Sequence, residues 1–189
     1  MPAVVAIDQG TTGSKAYRLE STGQFERLGG FDHRQIYPQQ GWVEHDPLEL
    51  LDHIRKLLEL AGDAAALGLA NQGETVIAWD AESGESVCNA IVWQDARTLP
   101  LTEQLKKEGA AKLITARTGL PLDPYFSASK LRWIVDSVPQ AKELLKRGKL
   151  RLGTSDSFFL DRLAGVYATD VTTASRTSLM NLDTGQWDL

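Results

Sequence analysis

Between its first two apolar runs the chain places Asp8-Gln9-Gly10-Thr11-Thr12-Gly13-Ser14-Lys15. These residue types suit a polyphosphate. Gly10 and Gly13 let the backbone approach a ligand closely and accept positive φ. Thr11, Thr12 and Ser14 bring hydroxyl donors, Lys15 brings a cation, and turn amides add their own N–H groups. Asp8, ending the first strand, can hold Mg²⁺ through water, because Mg²⁺ takes few carboxylates and keeps several waters. A Walker A loop is excluded. It needs four residues between its glycines, then Gly-Lys-Ser/Thr and a helix; here two residues separate Gly10 from Gly13 and a strand follows. Read alone, the segment is equally an ordinary hairpin turn, where glycine, threonine and serine are common.

The elements that must position this segment follow from pattern. Ala3 to Ile7, Ala16 to Glu20 and Phe25 to Phe31 read as three strands of an antiparallel meander, with Ser21-Thr22-Gly23-Gln24 as the second turn. Asp46 as N-cap, Pro47 at the first helical position and Glu49 completing a capping box open a helix. It carries Leu48, Leu51, Ile54, Leu57 and Leu58 at helical spacing and stops at Gly62. Ala65 to Ala70, Thr75 to Trp79 and Ala90 to Trp93 are further strands. Beyond them, Thr98 or Thr102 opens a helix through Leu105, and Leu113 to Arg117, Ser127 to Val135 and Gln140 to Lys146 are helical. Leu150 to Gly153 is a strand, and Asp156 caps a last short helix ended by Gly165. A strand meander followed by alternating helix and strand places the chain in the α/β class.

Composition sets limits. The 189 residues suffice for one domain with a real core rather than two. Apolar content of 42% and charged content of 24% are those of a soluble globular protein. A net charge of −5 argues against a nucleic-acid or anionic-membrane partner, both of which want a basic face. No run has transmembrane length, and the Met1-Pro2-Ala3-Val4 start lacks a basic leader, so a cytoplasmic location is expected. The single cysteine, Cys88, excludes an internal disulfide and a cysteine-only zinc site, and reads as a small buried residue rather than a nucleophile. His33, His45 and His53 do not have zinc-ligand spacing. Asp95 and Arg97 read as a structural pair, and Trp42 and Trp187 as packing residues. Arg176 suits either a phosphate or a carboxylate.

Several stretches carry a resemblance. They are Ile7-Asp8-Gln9-Gly10-Thr11-Thr12, the run from Gln35 to Pro47, Asn71-Gln72-Gly73-Glu74-Thr75 and the run from Val92 to Thr98. After these come Thr118-Gly119-Leu120, Asp123-Pro124-Tyr125-Phe126-Ser127 with Lys130, Gly153-Thr154-Ser155-Asp156, and Ala174-Ser175-Arg176-Thr177. In this order they resemble the FGGY family of carbohydrate kinases, and within it the glycerol kinases. The resemblance implies an actin-like, ribonuclease H-like fold in which two domains close over a cleft holding ATP and a polyol. Residues 1–189 would be an incomplete N-terminal, substrate-side domain, with the C-terminal ATP-binding domain absent from this chain. Asp8, Gly10, Thr11, Thr12, Ser14 and Lys15 would face the ATP phosphates and Mg²⁺. Gly73, Glu74, Trp93 and Tyr125 would line the polyol pocket. The chemistry is apt: a carboxylate accepts from hydroxyls, a phenol donates or accepts, and an indole gives the carbon chain an apolar wall. Apart from the motifs, Trp93 and Tyr125 would read as packing and Glu74 as a solvated charge.

The chain also departs from the family. Glycerol kinases usually carry arginine where Gly73 stands, so a donor fork is lost and space gained, which points to a larger polyol, a sugar, or weaker glycerol binding. Gly13 and Lys15 replace the usual serine and arginine, and Thr173 replaces an asparagine. The family's general-base aspartate lies further along than this sequence reaches, so no catalytic residue is assigned; Asp156 and Asp170 do not match it. The expected activity is ATP-dependent phosphorylation of a small-molecule polyol or sugar by the longer protein, the segment alone being inactive and its exposed edge inviting a homo-oligomer. The competing expectation is a non-catalytic polyol-binding or regulatory module of the same fold. Coding sequence beyond Leu189 that reaches an aspartate-bearing motif favours the first. A hexokinase-like or chaperone-like relative would share the phosphate loop but not the Gln35-to-Pro47 or Asp123-to-Ser127 stretches.

Overall fold

The computed structural model describes residues 3–188; Met1, Pro2 and Leu189, and the readings placed on them, lie outside that range. In chain order the elements are β1 (Val4–Gln9), β2 (Gly13–Leu19), β3 (Phe25–Asp32), β4 (Glu44–His45), α1 (Pro47–Ala61), β5 (Ala66–Ala70), β6 (Val76–Asp80), β7 (Ala90–Ile91), α2 (Leu99–Lys107), α3 (Ala110–Thr118), α4 (Ser127–Ser137), α5 (Pro139–Lys146), β8 (Leu150–Thr154), α6 (Ser155–Ala164), α7 (Val171–Ala174), β9 (Met180–Asn181) and β10 (Gln186–Trp187). Their contacts gather into two compact units. One runs to Gln35 and from His45 to Gln72; the other takes Ile36 to Glu44 and everything from Gly73 onward.

The first unit is the expected meander with one parallel strand added, in the order β3-β2-β1-β5. Alternate residues of β1 and β2 point inward, so Val5, Ile7, Ser14 and Ala16 are buried while Val4, Ala6, Asp8 and Lys15 face out. A bulge at Ala16/Tyr17 lets Leu28 of β3 stand unpaired and bends the sheet. Helix α1 covers the inner face. Asp46 accepts from the amides of Leu48 and Glu49, Pro47 fills the first turn, and Gly62, at φ 59°, ends the helix. The buried stripe is Leu50, Leu51, Ile54, Leu57 and Ala61; Leu48, expected within it, is 54% exposed. The capping box is half formed, because Glu49 Oε1 accepts from the Arg34 amide at 2.9 Å. A Cβ on Gly29 would sit 2.9 Å from Leu60 Cδ1, so this glycine sets how closely α1 can lie on β3.

The second unit is built on the sheet β4-β7-β6-β8. β6 is buried along Val76-Ile77-Ala78-Trp79 because helices or strands cover both of its faces. Its core gathers Val76, Ala78, Ile91, Ile134 and Ala141. Trp79 is fully buried, and its indole N–H donates to Asp161 Oδ2 at 2.7 Å. Of two expected helix openings, Thr98 holds its place and Asp156 does not. Thr98 does sit at the α2 start, but its hydroxyl bonds Ser129 Oγ at 2.8 Å rather than the helix. Thr154, not Asp156, precedes α6; Asp156 lies in the first turn and accepts from Thr169 Oγ1 at 2.6 Å. Cys88 is half-buried, and burial, reinforced by the Glu44 carboxylate, pushes its thiol up to about 11, against Arg97. Among the described residues no helix is long and apolar enough to cross a membrane.

Arg97 ties the segment Ile36–Glu44 into this unit. Its guanidinium lies 3.7 Å from the centre of a Trp42 ring and 4.6 Å from one of Trp133. It donates to Asp95 Oδ1 and Oδ2 at 2.9 and 2.8 Å and to Glu44 Oε1 at 2.7 Å. Asp95 Oδ2 accepts in turn from the Val43 amide at 2.7 Å. The Arg97 side chain is 2% exposed, so removing it strands two carboxylates. Arg97→Ala is expected to cost about 3–5 kcal/mol, read as a fall of roughly 6–20 °C in the midpoint of thermal unfolding. Arg97→Lys recovers only part of this, because an ammonium gives neither the fork nor the flat face.

Candidate functional site

The Gly10–Gly13 turn is tight because β1 and β2 stay paired up to it, with Asp8 opposite Lys15 and Gln9 opposite Ser14. Donors on one side take its carbonyls. Gln35 Nε2 donates to Thr11 O at 2.8 Å, the His33 amide to Thr12 O at 2.9 Å, and the Gly10 amide to Gly13 O at 3.0 Å. A trans peptide points its N–H opposite to its C=O, and no described peptide is cis. The Thr12 and Gly13 amides are therefore turned away from Gln35 and His33. Thr12, Asp8 and Lys15 are exposed, and Gly10 and Thr11 half-buried.

Two expectations for this turn need correcting. Ser14 is fully buried; its hydroxyl lies 3.1 Å from His33 Nε2, so strand alternation aims it into the unit rather than toward a ligand. Neither Gly10 nor Gly13 has positive φ. What glycine gives at position 13 is room: a Cβ would stand 2.8 Å from Phe31 O on β3.

The proposed polyol residues lie in the second unit, and three of them come together. Glu74 is buried, and its Oε1 accepts from Arg176 Nε at 2.7 Å. The Arg176 guanidinium sits 5.9 Å from the Tyr125 ring centre and 5.1 Å from that of Phe126. Tyr125 packs its ring against Trp93, 5.4 Å between centroids at 61°. Arg176, left between phosphate and carboxylate by the sequence, pairs with the carboxylate. Gly73 stands next to Glu74 in open space, where a Cβ would meet only Thr173 Cγ2 at 4.0 Å. The local chain builds this cluster from two strand ends and a helix start: Glu74 precedes β6, Trp93 follows β7, and Tyr125 precedes α4.

Lys130 holds the Tyr125 loop. It is fully buried on α4, and its Nζ donates to the carbonyls of Pro124 at 2.9 Å, Tyr125, and Phe126 at 3.0 Å. Burial lowers its pKa to about 7, against the nearby carboxylates of Glu74, Asp95 and Asp123. Sequence reading placed Lys130 only inside a motif; a lone lysine on a helix gives no sign of three carbonyls converging on it.

Other features fall outside this cluster. A cavity of about 900 Å³ over α4 and β8 is lined by Leu131, Val135, Leu152, Tyr167, Leu179 and Trp187 and includes none of the proposed polyol residues. Trp187, expected to pack, is 53% exposed there, whereas Trp42 packs edge-on against Trp133 as expected. In the first unit the fold brings His33, Glu49 and His53 within 4.8 Å of one another through one ligand atom each, a grouping that spacing along the chain did not suggest.

Comparisons with known proteins agree on one family. The model of the FGGY family of carbohydrate kinases, N-terminal domain, matches residues 3–189. The glycerol kinase of Methylibium petroleiphilum is 45% identical over 197 residues, which cover 99% of this chain and 40% of that protein. That of Burkholderia multivorans is 45% identical over 195 residues, covering 98% and 39%. Among solved structures, Plasmodium falciparum glycerol kinase with ADP superposes at a TM-score of 0.90 with 31% identity, over all of this chain and 40% of its own. A ligand-bound xylulose kinase from Lactobacillus acidophilus superposes at 0.85, covering 100% and 38%; at 24% identity it bears on the fold alone. The chain thus spans about two fifths of the length of these relatives.

Lys130→Met leaves three buried carbonyls without a donor. It is expected to cost about 2–4 kcal/mol and to lower the unfolding midpoint by roughly 5–15 °C, with loss of the near-ultraviolet dichroism of the Trp93–Tyr125 pair. An unchanged midpoint would show that the clamp carries no strain-bearing role.

Proposed function

Because this chain belongs to the FGGY family of carbohydrate kinases and has its actin-like fold, we propose that the protein carrying it transfers the γ-phosphoryl group of ATP to a hydroxyl of a small polyol or sugar. One observation supports this most directly: the Gly10–Gly13 turn has its carbonyls tied down on one side, which presents two amides, beside exposed Asp8 and Lys15, to the other. Amides of a turn with a neighbouring cation form an anion-binding concavity.

Within that reading each residue has a defined task. The Thr12 and Gly13 amides and the Lys15 ammonium receive phosphate oxygens. Asp8, an exposed carboxylate in cross-strand register with Lys15, fits a water-mediated Mg²⁺ contact. When bound, Mg²⁺ neutralises charge on the transferring group. Glu74 accepts from a substrate hydroxyl through the oxygen not held by Arg176, and Arg176 fixes the carboxylate's orientation. Tyr125 and Trp93 give the carbon chain an apolar wall. Asp156 is held by Thr169, and Asp170 caps α7 through the Thr173 amide, so both aspartates have structural work. With no aspartate assigned as general base, the 189 residues alone are expected to be inactive, and polyol turnover by them in a coupled assay would contradict this.

The open space at Gly73 leaves room for a larger polyol or a sugar, and the missing donor fork fits weaker glycerol binding. In the full-length protein, screened against glycerol, longer polyols and pentuloses, Glu74→Ala should lower kcat/KM by about 10- to 100-fold, the worth of a charged hydrogen bond. Gly73→Arg should shift the kcat/KM ratio of glycerol to the best larger substrate by about 10-fold toward glycerol. A ratio that does not move would remove position 73 from the specificity argument. Absence of ATP-dependent turnover with every polyol and sugar would remove the kinase reading.

A further inference from the structure

We propose that His33, Glu49 and His53 form a zinc-binding site that clips the end of β3 to the first turns of α1. Glu49 and His53 are four residues apart on the helix, so their side chains share a face one turn from each other. His33 follows β3 and meets them there, its Nδ1 lying 3.1 Å from His53 Nδ1. Two imidazole nitrogens bound to one tetrahedral Zn²⁺ at ~2.0–2.1 Å stand roughly 3.3 Å apart, so the pair needs little movement to chelate.

The surroundings suit ligation. His33 is buried, and its Nε2 lies 3.1 Å from Ser14 Oγ. In the tautomer that donates Nε2–H to that hydroxyl, the Nδ1 lone pair faces His53, as ligation requires; Gln9 Nε2 also lies 3.4 Å from His33 Nε2. Glu49 Oε1 is occupied by the Arg34 amide, while Oε2 has only the Arg34 Nε at 3.9 Å, from a side chain 68% exposed. Such a loose surface pair yields readily. Glu49 and His53 are half-exposed, which leaves an entry path and a fourth position for water. Two imidazoles and one carboxylate favour a borderline-soft ion over Mg²⁺, which asks for oxygen ligands, so this site is chemically distinct from the one proposed at Asp8.

The test is titration of the EDTA-dialysed chain with ZnCl₂ by calorimetry, alongside long-range ¹H–¹⁵N spectra of the imidazoles. One Zn²⁺ per chain should bind, with the His33 and His53 Nδ1 resonances moving together and Mg²⁺ moving neither. His53→Gln and Glu49→Gln, both at the helix surface and checked by far-ultraviolet dichroism, should each weaken binding by at least ~10-fold. Absence of Zn²⁺ binding, imidazole shifts confined to other histidines, or affinity that survives in the double variant would overturn the assignment.

Discussion

The second unit depends on one buried cation. Arg97 lies against two indoles, which meet each other edge-on, and satisfies two carboxylates at once. Stacking uses the flat face of the guanidinium and the carboxylates take the N–H donors at its edge, a combination lysine lacks. The consequence reaches the candidate site through the chain: Asp95 is fixed by Arg97 and by the Val43 amide, and Trp93 lies two residues before Asp95 at the end of β7. The Arg97–Asp95 pair is thus two residues along the chain from the Trp93–Tyr125 contact. A buried pair of this kind adds little net stability compared with apolar residues of the same shape, yet breaking one partner is costly. Its effect is to fix one register for the segment around Trp42.

Much of the fold could be read from residues whose local preference and burial agree. The β1–β2–β3 meander and α1 with its Asp46 cap and Gly62 stop follow alternation or helical spacing, and the strands β5, β6 and β8 follow short apolar runs, each bounded by turn residues. The misses have tertiary causes. Leu48 is apolar and correctly spaced, but the side of α1 facing the sheet passes through Leu50 instead. Asp156 is a good capping residue, yet β8 runs up to Thr154 and sets the α6 start before it. The short strands β4, β9 and β10 exist only because a partner strand lies beside them, which no single-strand pattern can announce.

The site was legible unevenly. Glu74, Trp93 and Tyr125 were named through motif resemblance, and the fold does join them, through Arg176. The phosphate hairpin was named from residue types, but types do not say which way a hydroxyl points. Strand alternation sends Ser14 inward while Lys15, one residue on, faces out. His33, Glu49 and His53 were missed because their grouping combines a helical spacing with a strand end, and only the Glu49-to-His53 interval of one turn was visible beforehand.

The central claim, that the turn after β1 receives phosphate through its outward amides, is tested most directly by titrating the ¹⁵N-labelled chain with Mg·ATP. Amide shifts concentrated at Gly10, Thr11, Thr12 and Gly13, absent with Mg²⁺ alone and reproduced by Mg·ADP, are the predicted result. Shifts confined to residues outside Asp8–Lys15, or none at saturating nucleotide, would contradict it.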